Sequence, residues 1–232
     1  MAGIITHLAI ANKIVNELPY GIITNKGMFY IGSIAPDLIR MREGFIRADK
    51  KHSHMRDNIA DVDFNKKENI TIFHNRVISF INNNISKENN IIDLYRGYVV
   101  HLLSDEMFLI TVRPSFVAKM KTLGIEPTDI LFRDKILYDL DSHDFKLVKD
   151  NSEMKDIFNL LKNVEPHCIN GYITDKEITL GINWVLEKNL NQKHKASEPI
   201  YISYEEILTY IDETAHNIIS RLSDGVIFPK IF

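Results

Sequence analysis

His101 and Asp105 stand four residues apart in the stretch GYVVHLLSDEMF. On a helix that spacing puts both side chains on one face. Leu94, Tyr98 and Phe108 share the stripe, so the face points into a core. An imidazole and a carboxylate are costly in a core unless each finds a partner. Two solutions satisfy the pair: a mutual hydrogen bond that fixes helix packing, or a divalent cation that takes both as ligands. Residue type and spacing leave the two open.

Three further stations carry the same chemistry. His7 lies on an apolar stripe with Ala11, Ile14 and Leu18, so it faces inward. Asp37 follows the proline of GSIAPD, where a side chain can point across a cavity. His54 sits in KKHSHMRD, with His52 as its competitor. One inward histidine is ordinary core chemistry. Several His and Asp stations beside apolar helices suggest convergence, supplying His7, Asp37, His54, His101 and Asp105 to one or more zinc ions. The chain has a single cysteine, Cys168, so a transition-metal site here must use nitrogen and oxygen ligands.

The elements that must position these residues read as helices. Periodicity predicts helices over 6–18, 28–41, 71–82, 91–113, 115–123, 127–140, 152–163, 175–190 and 203–222. Thr6 is the expected cap of the first helix. Pro36 is expected to break or restart the second, and Pro114 to close the fourth, 91–113. The charged stretch 42–68 reads as a long loop, and 141–151 and 191–201 as polar separators. Alternating strand patterns are scarce. The expectation is one all-α, multi-helix domain spanning 1–232.

Composition narrows the function. The 232 residues carry 28 basic and 31 acidic side chains, a net charge of −3 with both signs interspersed. That argues against a binder that works by phosphate neutralisation, and no nucleic-acid partner is expected. Arg40, Arg42, Arg47, Lys50 and Lys51 read as a solvated basic loop. A lone cysteine fits a reducing compartment. No signal peptide or membrane span is visible, so a cytoplasmic protein is expected.

The ordered words THLAIANKI, FYIGSIAPDLIR, SHMRD and YRGYVVHLLSDEMF, over residues 5–113, resemble the zinc-dependent phospholipase C family, especially its intracellular bacterial members. The resemblance implies an all-helical fold of the phospholipase C and nuclease type around a zinc cluster. It implies zinc ligation by Asp37, His54, His101 and Asp105, with His7 on a neighbouring zinc that shares Asp105. It further implies hydrolysis of phosphodiester or phospholipid-like bonds in a small-molecule or lipid-headgroup substrate. Asp37 would both ligate and act catalytically, orienting or deprotonating the attacking water. The secreted members add an amino-terminal amine ligand and further His and Glu ligands after HxxxD. Here Glu106 is followed by no histidine until His143, so one or two zinc ions are expected rather than three. The alternatives are a non-catalytic, metal-stabilised helical scaffold and a zinc nuclease on the same fold.

The remaining candidates read as structural. His74 shares a face with Val77, Ile78 and Ile81 and is expected in the core. Asp57 is either a solvated charge or a carboxylate that orients a ligand histidine. Glu106 points away from Asp105. The His143–Asp144 dipeptide lacks a supporting histidine, and Asp212 with His216 reads as a surface pair. His167, beside Cys168, and His194 lie in weak contexts. There is no phosphate-cradling glycine loop and no GxSxG elbow.

Overall fold

The computed structural model describes residues 2–190, 197–222 and 228–231. Among these the chain is all-α, with no strand. The region 191–196, which includes His194, lies outside the described residues. No helix is long and apolar enough to cross a membrane among the described residues.

Helix α1 (Ile4–Glu17) is buried on nearly every side, His7 included. Thr6 is not its cap. Gly3 holds the cap position with no side-chain bond, and the first turn is satisfied from α7 (Ile130–Asp150). The Asp144 carboxylate accepts from Ile5 N at 3.1 Å, Thr6 N at 3.0 Å and Thr6 Oγ1 at 3.0 Å. A carboxylate there meets the orphan donors and the positive end of the helix dipole. A cap supplied from 138 residues away leaves no local signal. Helix α7 also continues to Asp150, across most of the expected separator 141–151, because α1 packs against it.

Helix α2 (Lys26–Leu38) is capped by Asn25, whose side chain accepts from Met28 N at 3.1 Å. Asp93 of α5 (Asn89–Ile110) accepts from Thr24 N at 2.8 Å and Asn25 N at 2.6 Å. That clamp fixes the register of α2 against α5. Pro36 lies inside α2 without breaking it. The helix runs on to Leu38 and tightens into a single turn, Ile39–Met41.

The two helices cross with their backbones in contact. A Cβ on Gly32 would stand 2.1 Å from Leu94 O, and one on Gly97 would stand 2.1 Å from Phe29 O. Only glycine at both positions allows this approach. The α2–α5 pair forms the centre of the molecule. Helix α1 crosses it, with α10 (Tyr204–Ser220) and α7 outside. Helices α8 (Met154–Asn163) and α9 (Asp175–Leu190) cover α2, and α4 (Lys67–Asn84) covers α5.

The expected loop 42–68 contains α3 (Arg47–Ser53). It ends in a Schellman motif, with Met55 N bonded to His52 O at 2.9 Å and Arg56 N to Lys51 O at 2.8 Å. Met55 takes the left-handed position at φ 56°, which glycine usually fills. The chain therefore turns sharply just after His54, keeping that residue against α2. Pro114 does not close α5, since it sits in the first turn of α6 (Val112–Thr122).

Candidate metal centre

The α2–α5 crossing carries the centre. His101, on α5, lies one turn beyond the Gly97 contact. Its Nδ1 donates to Ser33 O of α2 at 2.8 Å. Because a carbonyl only accepts, the proton sits on Nδ1, and Nε2 keeps its lone pair. His54 repeats the logic, with its Nδ1 2.8 Å from Lys50 O. Ser53 Oγ, beside it, donates to Pro36 O at 2.9 Å, and the Tyr98 hydroxyl donates to Ser53 O. Side chains and carbonyls of α2, α3 and α5 thus aim both rings.

The aim leaves His54 Nε2 and His101 Nε2 3.3 Å apart. Two neutral rings held this way face each other with lone pairs and no hydrogen between them. Protonating one ring would repair the contact, but burial opposes it and pushes His54 down and His101 well down from the usual histidine value. A cation between the nitrogens resolves the conflict. Donors about 2.0–2.1 Å from a tetrahedral zinc lie about 3.3–3.4 Å from one another. The observed separations match: His54 Nε2 is 3.4 Å from Asp37 Oδ1 and 3.6 Å from Asp105 Oδ2.

His7 adds a second conflict. Its ring stacks on His101 with centroids 3.8 Å apart. Neither of its nitrogens has a hydrogen-bond partner, although it is 1% exposed. Its Nε2 stands 3.5 Å from Asp105 Oδ1. Two overlapping groups could each hold an ion: Asp37, His54 and His101, and His7, His101 and Asp105. His101 Nε2 has one lone pair and serves one ion at a time. Asp105 joins the groups, one oxygen toward His54 and the other toward His7. Ala2 N also donates to Oδ1, at 3.3 Å.

All five predicted ligands therefore meet. Burial opposes ionisation of Asp37, but the Lys50 ammonium beside it holds its carboxyl well below the usual carboxylate range. Asp105 is held well below that range too, against the same burial. His52 turns away, with Nδ1 3.0 Å from Asp57 Oδ2 and Nε2 3.1 Å from Gly171 O. Asp57 thus orients no ligand. Glu106 and His74 form their own contact at 2.7 Å. His143 is buried, with its ring stacked on that of Tyr204. His216 is exposed and bonds Asp212 O at 2.7 Å.

Two residues of the centre were passed over in the sequence. Lys50, read there as a solvated charge, places Nζ 2.6 Å from Asp37 Oδ1. Arg56 places Nη2 3.9 Å from Asp105 Oδ2. Lys50 lies four residues before His54, and that helical spacing on α3 was the available signal. Treating 42–68 as a loop concealed it. Arg42, from the same basic cluster, pairs with Glu177 at 2.7 Å and Asp49 at 2.9 Å.

The buried rings predict a pH response of the metal-free protein. The unfolded chain protonates His54 and His101 near 6.5, and the folded chain resists this until lower pH. Stability present above 6.5 is therefore lost as pH falls, by about 1.4 kcal/mol per unit and per ring. Asp144 works in the opposite sense. Burial raises it from 3.8 to about 6, so acidification through that window favours the fold. Two rings outweigh one carboxyl, and urea unfolding should show a net loss of up to about 3 kcal/mol between pH 7 and 5. Equal or greater stability at pH 5 would contradict the neutral, opposed rings.

Comparison of the chain with family models, curated proteins and solved structures finds no match.

Proposed function

We propose that the chain is a zinc-dependent hydrolase of phosphoester bonds, of the all-helical type seen in the zinc-dependent phospholipase C family. The observation that carries this reading is the pair of opposed Nε2 lone pairs, 3.3 Å apart, ringed by two carboxylates. Neutral imidazole and carboxylate are zinc ligands, and the donor spacing fits a tetrahedral ion. The ordered sequence words support the family reading.

Zinc, when bound, supplies Lewis-acid activation of water near neutral pH. Asp37, held ionised beside Lys50, would accept a hydrogen bond from the attacking water and orient it. Ser33 and Lys50 carbonyls keep His101 and His54 in the metal-binding tautomer. Asp105, shared between the two groups, would couple their occupancy.

A second reading has its own support. His7, His54, His101, Asp37 and Asp105 are all at most 3% exposed, as in closed structural sites. On that reading the ion stabilises a helical scaffold and does no chemistry.

One experiment separates the possibilities. Protein purified without chelators is analysed for metals, reconstituted with zinc, and assayed on phosphodiesters, phospholipid headgroup analogues and an oligonucleotide. Zinc retention with turnover of a small phosphoester supports the hydrolase. A filled site that stays inactive supports the scaffold, and oligonucleotide cleavage supports the nuclease. A wild-type chain that takes up no zinc under gentle reconstitution rules out all three.

A further inference from the structure

A cavity of about 560 Å³ lies between α4, Tyr95 of α5 and the turn 169–172. Small-molecule sites occupy roughly 300–1,000 Å³. None of the five metal donors lines it. Helix α4 meets it with Ile72, Asn75, Arg76, Ser79, Phe80 and Asn83. Their three- and four-residue spacing is that of a packing face, which is ordinarily apolar. Four of these six are polar, so the face is built to meet something other than a protein core.

Two groups on the wall lack what they need. Tyr95 is 5% exposed, and its hydroxyl makes no hydrogen bond among the described residues. Burial pushes that phenol up, so it stays a donor. A buried hydroxyl without a partner is costly, and the cavity is where a partner can stand. Arg76 is held from one side only. Its Nη1 donates to Met55 O at 3.0 Å and to Asp57 O at 2.9 Å. Those two bonds orient the guanidinium, while Nε and Nη2 make no hydrogen bond among the described residues. Nε and Nη2 form the two-donor fork that matches phosphate oxygens.

The surroundings favour an anion with a polar body. No acidic side chain lines the cavity among the described residues, and Lys87, also on its wall, makes no ion pair there. Asn75, Ser79 and Asn83 each donate and accept hydrogen bonds, as sugar hydroxyls require. Phe80 and Tyr172 complete the wall and pack on Tyr98, with ring centroids 5.1 and 5.8 Å away.

We propose that this cavity is a second ligand site, for a phosphorylated sugar, free or as part of a nucleotide. Arg76 takes the phosphate, and Tyr95, Asn75 and Asn83 take the sugar hydroxyls. The site uses no metal donor and does not rest on the hydrolase reading.

The test is calorimetric titration of ribose 5-phosphate, adenosine 5′-monophosphate and ribose into zinc-loaded and metal-stripped protein. Ribose 5-phosphate should bind at least about tenfold more tightly than ribose, with or without zinc. Tyr95→Phe removes a hydroxyl that bonds nothing in the protein, so its melting point should stay at the wild-type value. Its affinity for ribose 5-phosphate should nevertheless fall about five- to tenfold. Asn83→Leu, on the exposed end of α4, should weaken binding by a similar factor. Tighter binding of the nucleotide than of ribose 5-phosphate supports a nucleotide as the ligand, and the reverse order supports the free sugar phosphate. The proposal is overturned if neither phosphate binds at millimolar concentration, or if ribose binds as tightly as its phosphate. Wild-type affinity in both variants overturns it too. Binding confined to zinc-loaded protein would put the ligand at the metal and overturn the cavity.

Discussion

His101→Ala is expected to lower zinc affinity by more than a hundredfold. His101 belongs to both groups that could hold an ion, so no arrangement of the remaining donors replaces it. Structural zinc binding of about 10–16 kcal/mol, spread over four donors, leaves roughly 3 kcal/mol per donor. That corresponds to a factor above a hundred. His7→Ala should cost less at the tighter position, because Asp37, His54, His101 and Asp105 keep their mutual spacing. Competition with a chromogenic chelator measures both variants. The metal-free His101→Ala protein should remain folded, since the substitution also removes a lone-pair conflict. Wild-type zinc affinity in His101→Ala would mean that the imidazoles are packing residues.

Gly97→Ala should have the largest effect on stability. The added Cβ would fall 2.1 Å from Phe29 O and 2.8 Å from Ser33 N. Both are backbone atoms inside α2, so no side chain can swing aside. The helices must separate, and overpacking of this kind costs about 3 kcal/mol or more. For a chain of this size, that is a melting-point drop of roughly 6–12 °C. The same separation draws Ser33 O away from His101 Nδ1, now at 2.8 Å, and frees the ring to rotate. Zinc affinity should therefore fall about 10- to 100-fold, although Gly97 touches no metal donor. Thermal melts and chelator competition check the two effects on one sample. A melting point within about 2 °C of wild type would show that the crossing is looser than the structure has it.

The sequence carried the helices and the inward faces, because both follow from local periodicity. The stripe Leu94, Tyr98, His101, Asp105 and Phe108 is buried, and so is His7 on α1. The boundaries that failed were set by partners distant in sequence. Thr6 was the best local cap, but Asp144 supplies the bonds from another helix. The segment 141–151 is polar by composition, yet α7 continues in it to Asp150 because Ser142 and Asp144 are buried, with Asp144 bonded to Ile5 and Thr6 of α1. Pro36 removes one backbone donor, and the packing of α2 on α5 outweighs that loss.

For the centre, the chain's own pattern determined residue types and facing: inward histidines, a carboxylate four residues on, and an aspartate after a proline. Tertiary structure decided the rest. Only the crossing at Gly32 and Gly97 brings Ser33 O to His101, and that contact fixes which nitrogen keeps a lone pair. Only the turn at Met55 sets His54 facing His101 and sends His52 to Asp57. Lys50 and Arg56 became part of the centre by the same fold of α3. Helical spacing is a property of neighbouring residues, whereas convergence of donors from α1, α2, α3 and α5 depends on how closely backbones pack. That closeness was set by two glycines whose role no local pattern announces.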